Sequence, residues 1–291
     1  MKIGAVFPQT ELGGDVGAVR AYGQQVEALG YSHILAYDHV VGADPTVHEN
    51  WNGPYNSSTT FHEPFVMFGF LAGVTSAIEF VTGVIILPQR QTVLVAKQAA
   101  EVDLMTGGRF RLGVGVGWNA VEYEALGQPF DQRGRRVDEQ VELLRRLWTE
   151  KWVTHHGRFD TITGAGLAPL PIQRPIPIWM GGNADATFER IGRSADGWFP
   201  QVRPGEKLQR ALDVIAESAA ISGRDAAAIG MEGQVRWIPS DPGKFVEQVG
   251  MWKASGATHV GIDTMYCGLA TVQDHLDVVA RAAELLGLTP R

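Results

Sequence analysis

Asp38 and His39 stand side by side at the end of a short apolar run. A histidine at a strand end exchanges protons near neutral pH, and a neighbouring carboxylate tunes it. Adjacent strand residues point to opposite sides, so the two side chains meet only if the strand has already ended. Otherwise His39 simply hydrogen-bonds the long loop that follows. A second constellation, Gly113, Gly115 and Gly117, closes the segment 109–119 with the spacing G-x-G-x-G. That is not the G-x-G-x-x-G dinucleotide fingerprint. Glycines at a strand end do let a flat ligand approach the main chain, or two strands pack closely. Gly115, Val116, Gly117 and Trp118 are the residues such a ligand would meet. A third, Gly181-Gly182-Asn183, precedes a helix. Its amides and the positive helix end suit a phosphate, or else form a plain tight turn. Arg90 offers an additional positive charge.

Other chemistries fit less well. His39, His48 and His62 are too widely spaced for H-x-H or H-E-x-x-H, so no metal is expected, and His155-His156 is expected to be exposed. Ser194 does not sit in G-x-S-x-G, and Cys267 lacks an activating partner. One acid–base pair among small and aromatic residues suits a planar organic cofactor that carries the hard chemistry itself.

The elements that must position these residues alternate from end to end. Strands are predicted at 2–8, 33–39, 79–88, 109–117, 175–181, 197–200, 230–238 and 259–266. Helices are predicted at 15–30, 63–76, 92–106, 132–149, 184–195, 205–222, 242–255 and 271–286. Eight such units in 291 residues predict one α/β domain over 1–291, a (β/α)₈ TIM barrel whose active groups sit at the C-terminal strand ends. Long connections fall after strand 2 (40–62) and before strand 5 (150–174). The first, rich in Asn, Ser and Thr with Trp51 and Tyr55, reads as a pocket lid; the second, proline-braced, reads as a surface excursion.

Charge and composition narrow the class. A net charge of −7 with scattered basic residues argues against nucleic acid as a partner. No apolar run reaches membrane-spanning length, and a single cysteine with no leader pattern points to the cytoplasm.

Taken in order, several segments resemble the luciferase-like monooxygenase superfamily, in particular its branch that uses coenzyme F420. They are Tyr37-Asp-His39, Gly83-Val-Ile-Ile-Leu-Pro88, Gly113-Val-Gly-Val-Gly-Trp-Asn119 with Glu122-Tyr-Glu-Ala-Leu-Gly127, Phe130-Asp-Gln-Arg-Gly-Arg-Arg136 with Glu139, Pro175-Ile-Pro-Ile-Trp-Met-Gly-Gly182, and Ala195-Asp-Gly-Trp198. The resemblance covers essentially the whole chain. It implies F420, with FMN as the alternative, resting on a non-prolyl cis peptide bulge at Val84-Ile85 with its phosphate at Gly181-Gly182-Asn183. It also implies His39 beside the reacting carbon and a homodimer. Related sugar-phosphate dehydrogenases carry a glutamate where this chain has Trp118, so a more apolar or aromatic organic substrate is expected, with the proton work left to His39 or water. The rival readings are an FMN-dependent monooxygenase and a non-catalytic flavin-binding barrel.

Overall fold

The computed structural model describes residues 1–291. In chain order its first half contains β1 (Lys2–Val6), α1 (Val16–Ala28), β2 (His33–Ala36), α2 (Pro64–Ala72), β3 (Glu79–Thr82), β4 (Ile85–Ile86), α3 (Thr92–Thr106) and β5 (Phe110–Gly115). Then come α4 (Ala120–Ala125), α5 (Arg133–Thr149), β6 (Val153–His156), β7 (Thr161–Ala165), β8 (Ile178–Gly182) and α6 (Asp185–Ser194). The chain finishes with β9 (Gly197–Pro200), α7 (Glu206–Ile221), β10 (Gly230–Arg236), α8 (Pro242–Ala254), β11 (His259–Asp263) and α9 (Val272–Leu286).

Helix ends follow local chemistry. Asp15 caps α1 by accepting from the amides of Gly17 and Ala18. Thr271 and Asp274 form a capping box at α9, which stops at Gly287 in the left-handed conformation. The strands pair in parallel in the order β3-β2-β1-β11-β10-β9-β8-β5-β4, and a β3–β5 pairing closes the ring. With β3 and β4 as one interrupted stave, this is the closed eight-stave (β/α)₈ barrel. No helix is long and apolar enough to cross a membrane.

Three local expectations need correction. The predicted strand 79–88 is broken, and its cis bond is Gly83–Val84, one residue before the expected Val84-Ile85. Alternation along the chain then sends Val84 and Ile86 to the barrel mouth and Ile85 into the apolar layer beneath the helices. The short helix α4, directly after the glycine strand, was not predicted. The second long connection is not structureless: β6 and β7 pair as an antiparallel hairpin. Beyond it, Asp103 braces the chain by accepting from the amides of Ile172 (2.6 Å) and Gln173 (3.0 Å).

Apolar packing falls into two layers. The larger lies between the strands and the helices and includes Phe68, Phe80, Phe110 and Trp148. A smaller one, Val6, Leu35, Val81, Trp179, Phe199 and Met265, forms a separate cluster of strand and strand-end residues. Near the strand starts lies a buried charged floor. Glu232 is held by His33 Nε2 at 2.7 Å and Arg111 Nη1 at 3.0 Å, and Arg111 also binds Glu79. Burial pushes the Glu232 carboxyl up, but His33 and Arg111 outweigh it and hold its pKa at about 2. Gly4 makes room for this floor, since a Cβ there would lie 2.1 Å from His33 Nε2.

Candidate active site

The C-terminal strand ends and their loops enclose a cavity of about 540 Å³. One wall is made of Gly83, Gly115, Gly117, Gly181 and Gly182. Val84 stands as a ridge between the two glycine strands: a Cβ on Gly115 would come within 2.6 Å of its Cγ2, and one on Gly181 within 3.1 Å of its Cγ1. Gly117 has φ +67°, and a Cβ there would meet Ile86 Cγ2 at 2.7 Å. The wall is therefore flat backbone, a cradle that any larger residue would fill.

Asp38 secures this wall rather than His39. Its Oδ2 accepts from the Ile86 amide at 3.1 Å and its Oδ1 from Arg90 Nη2 at 2.8 Å. Burial pushes the Asp38 carboxyl up more than Arg90 and the amide pull it down. Arg90 also binds Glu63 at 2.9 Å, the residue that caps α2. It is thus committed to carboxylates and not free for a phosphate.

His39 is partnered by a residue that strand-end reasoning missed. Glu122, on α4, places Oε1 2.8 Å from His39 Nδ1. The same carboxylate accepts from the Val40 amide at 2.6 Å and from Gln89 Nε2 at 3.0 Å. Burial raises the Glu122 pKa, but these donors more than offset it and the net shift is downward. A readable signal did exist: Asn119 caps α4 three residues before Glu122, the N-x-x-E pattern of a helix start.

The His39 Nε2 atom is buried without a hydrogen-bond partner. His39 does not line the cavity; Tyr55 (ring centroids 4.1 Å) and Phe61 (5.1 Å) lie between. Both belong to the loop 40–62, which folds onto Trp118. Trp51 and Tyr55 lie 5.5 and 5.4 Å from the Trp118 ring, and Trp51 Nε1 donates to the Tyr55 carbonyl at 2.9 Å. Gly53 allows the close approach, because a Cβ there would be 2.3 Å from Trp118.

Of the sequence-predicted residues, Asp38, Val84, Gly115, Val116, Gly117, Trp118, Gly181, Gly182 and Asn183 line the cavity together. His39 is one layer back, and Ile85 faces away. Asn183 and Ala184 lead into α6, whose first turn has no side-chain cap, so its amides point to an open end. Across the cavity stand Thr10, Tyr37, Gln234, Met265 and Tyr266. Tyr266 adopts φ +61°, with its amide donated to Glu11 at 2.6 Å and Glu11 bound in turn by His275 at 2.9 Å. The histidines near the first loop are dispersed: His62 pairs with the Gly13 carbonyl, and His48 packs near Trp51. Of His155-His156, expected to be exposed, His156 is exposed, whereas His155 is half-buried beside Glu139 at 3.1 Å.

Comparison with known proteins accords with this architecture. The luciferase-like monooxygenase profile matches residues 1–241. An uncharacterized protein of Mycobacterium tuberculosis is 37% identical over 191 residues, covering 64% of this chain and 66% of that protein, just under two thirds of its length. An FMNH₂-dependent dimethylsulfone monooxygenase of Pseudomonas putida is 32% identical over 178 residues, covering 60% of this chain and 48% of that enzyme. Among solved structures, an F420-dependent secondary alcohol dehydrogenase bound to an F420–acetone adduct superposes with a TM-score of 0.79 over 98% of both chains at 17% identity. A barrel closed in this order, with its cradle at the strand ends and the profile matched over most of the chain, places the protein in the luciferase-like monooxygenase family.

Proposed function

We propose that the chain is an oxidoreductase moving a hydride between coenzyme F420 and an apolar or aromatic organic substrate. The observation that carries this reading is the glycine cradle facing an aromatic wall, with one buried imidazole–carboxylate pair directly behind it. Val84, Gly115, Val116, Gly117 and Trp118 would hold the ring, and Gly181, Gly182 and Asn183 with the open end of α6 would hold the phosphate. Arg203 and Lys207, exposed just beyond the cavity-lining Gln201, form no ion pair and suit an acidic tail. When bound, the deazaflavin supplies the hydride acceptor or donor.

The protein's own part is positioning and proton movement. Hydride transfer at a substrate carbon leaves a proton to be lost or gained at its oxygen, and in this reading His39 Nε2 exchanges it. Glu122 lies 2.8 Å from His39 Nδ1, and no carboxylate stands against Nε2. Asp38 keeps the Val84 ridge in place through the Ile86 amide. Because Tyr55 and Phe61 cover His39, the loop 40–62 must shift for the proton to pass.

The second reading keeps this site and replaces F420 by reduced FMN in a monooxygenase; the 32% identical dimethylsulfone monooxygenase favours it. Exposed Val66 on α2, with Val93, Leu94 and Met105 on α3, supports a homodimer, whereas Phe65, Phe68 and Val95 are core. The single cysteine supports a cytoplasmic location. Parallel titration of the apoprotein with F420 and FMN, followed by cofactor fluorescence, tests the reading. F420 binding at least about tenfold tighter, roughly 1.4 kcal/mol, is expected. The reverse preference makes the FMN reading the correct one, and binding of neither leaves a non-catalytic barrel.

A further inference from the structure

Of the 25 residues that line the cavity, none is Lys, Arg or His. The buried or partly buried cations behind the lining are committed to protein carboxylates: Arg90 to Asp38 and Glu63, Arg111 to Glu79 and Glu232, and Arg236 to Asp263, while the unpaired Arg203 and Lys207 lie outside the lining in solvent. His33 is committed to Glu232 and His39 to Glu122. Away from the α6 end assigned to the cofactor phosphate, a substrate carboxylate or phosphate would lose its hydration here and find no counter-charge. A cation fares little better, because Asp38 and Glu232, the two carboxylates of the lining, already have their partners. The lining also holds six aromatic side chains: Tyr37, Tyr55, Phe61, Trp118, Phe199 and Tyr266. Two uncharged polar residues, Thr10 and Gln234, belong to the same lining. The Thr10 hydroxyl is buried without a partner, and Gln234 takes the Tyr37 hydroxyl on Oε1 at 3.1 Å, leaving its amide nitrogen unused.

Building on the functional reading above, we propose that this site takes a neutral aromatic substrate bearing a hydroxyl or carbonyl oxygen, with Thr10 as the specificity-determining residue for that oxygen. Sugar phosphates, aryl carboxylates and arylalkyl ammonium ions are rejected by charge, not by size. The ring is selected by the aromatic wall. Unpaired, the Thr10 hydroxyl also works against a plain hydrocarbon, since a buried polar group left without a partner is costly.

The test uses matched probes on one ring: 2-naphthylmethanol (neutral), 2-naphthoate (anion), 2-naphthylmethylammonium (cation) and 2-methylnaphthalene (no oxygen). Equilibrium dialysis at pH 7.5 is run on the full chain with and without cofactor, because the charge ranking arises from the protein's own groups. The alcohol is expected to bind at least about tenfold tighter than either ion, roughly 1.4 kcal/mol. Thr10→Val is expected to weaken the alcohol by about fivefold or more while leaving 2-methylnaphthalene as tight or tighter. Either ion binding as well as the alcohol, or no binding of the alcohol under either condition, overturns the substrate class. Equal weakening of the alcohol and the hydrocarbon by Thr10→Val overturns the role of Thr10. If neither F420 nor FMN binds but the probe ranking holds, the functional reading fails and the neutral aromatic site stands.

Discussion

Glu232→Gln isolates the charged floor of the barrel. The carboxylate is fully buried and receives His33 Nε2 at 2.7 Å and Arg111 Nη1 at 3.0 Å. Glutamine keeps the shape but removes the charge, leaving His33 buried without its counter-ion and Arg111 with Glu79 alone. The gap between an ordinary glutamate at 4.5 and about 2 in the fold corresponds to about 3 kcal/mol at neutral pH. Losing one partner of a buried ion pair costs about 3–5 kcal/mol, the same range. With about 2.1 cal/mol/K of unfolding entropy per residue over 291 residues, 3 kcal/mol is roughly 5 °C in Tm. A depressed carboxylate stabilises the fold fully above its unfolded pKa, and that stability is lost as pH falls from 4.5 toward 2. Thermal melts of both proteins at pH 7, 5 and 3.5 should show a gap of about 5 °C that narrows to roughly 3 °C at the lowest pH. Equal Tm values at pH 7, or a gap constant down to pH 3.5, would refute the reasoning.

Three further substitutions probe the mouth. His39→Ala should lower turnover by about 10²–10⁴ while cofactor affinity stays within a few-fold, and unchanged turnover removes His39 from the mechanism. Gly117→Ala places a Cβ 2.7 Å from Ile86 at φ +67°, so cofactor Kd should rise and urea stability fall by about 1–3 kcal/mol; a wild-type Kd would show that this wall is not the ring's support. Gly53→Ala should push the loop 40–62 off Trp118, read as faster cleavage within 40–62 in limited proteolysis, and an unchanged digestion rate counts against the packing described.

The barrel was legible because each stave pairs an apolar run with a helix of matching period, and the glycine wall because glycines cluster at strand ends. What escaped depends on tertiary context. Hydrophobic periodicity in the Val-Ile-rich run 79–88 does not show the break at Gly83, since apolar residues continue on both sides of it; only the family resemblance points to a bulge there, one residue late. Asp38 and His39 look like a pair in sequence, yet the turn beyond β2 sends one to Arg90 and the other to Glu122. Glu122 lies 83 positions beyond His39, so only folding shows their contact, although its helix start was readable from Asn119. Six residues of α4 are too few to raise a periodic signal.

The β1–β11 seam also bears on how the chain is made. Lys2 pairs with His259 and Ala5 with Ile262, so β1 waits for β11 before one of its edges is covered. At about 5–20 residues per second, that delay is roughly 13–50 s of translation. Throughout it, the nascent polypeptide carries an open parallel edge of the kind that recruits other strands. Ring closure therefore waits on the emergence of β11, and the yield of folded protein in the cell should respond to chaperone supply more than to the stability of the finished barrel.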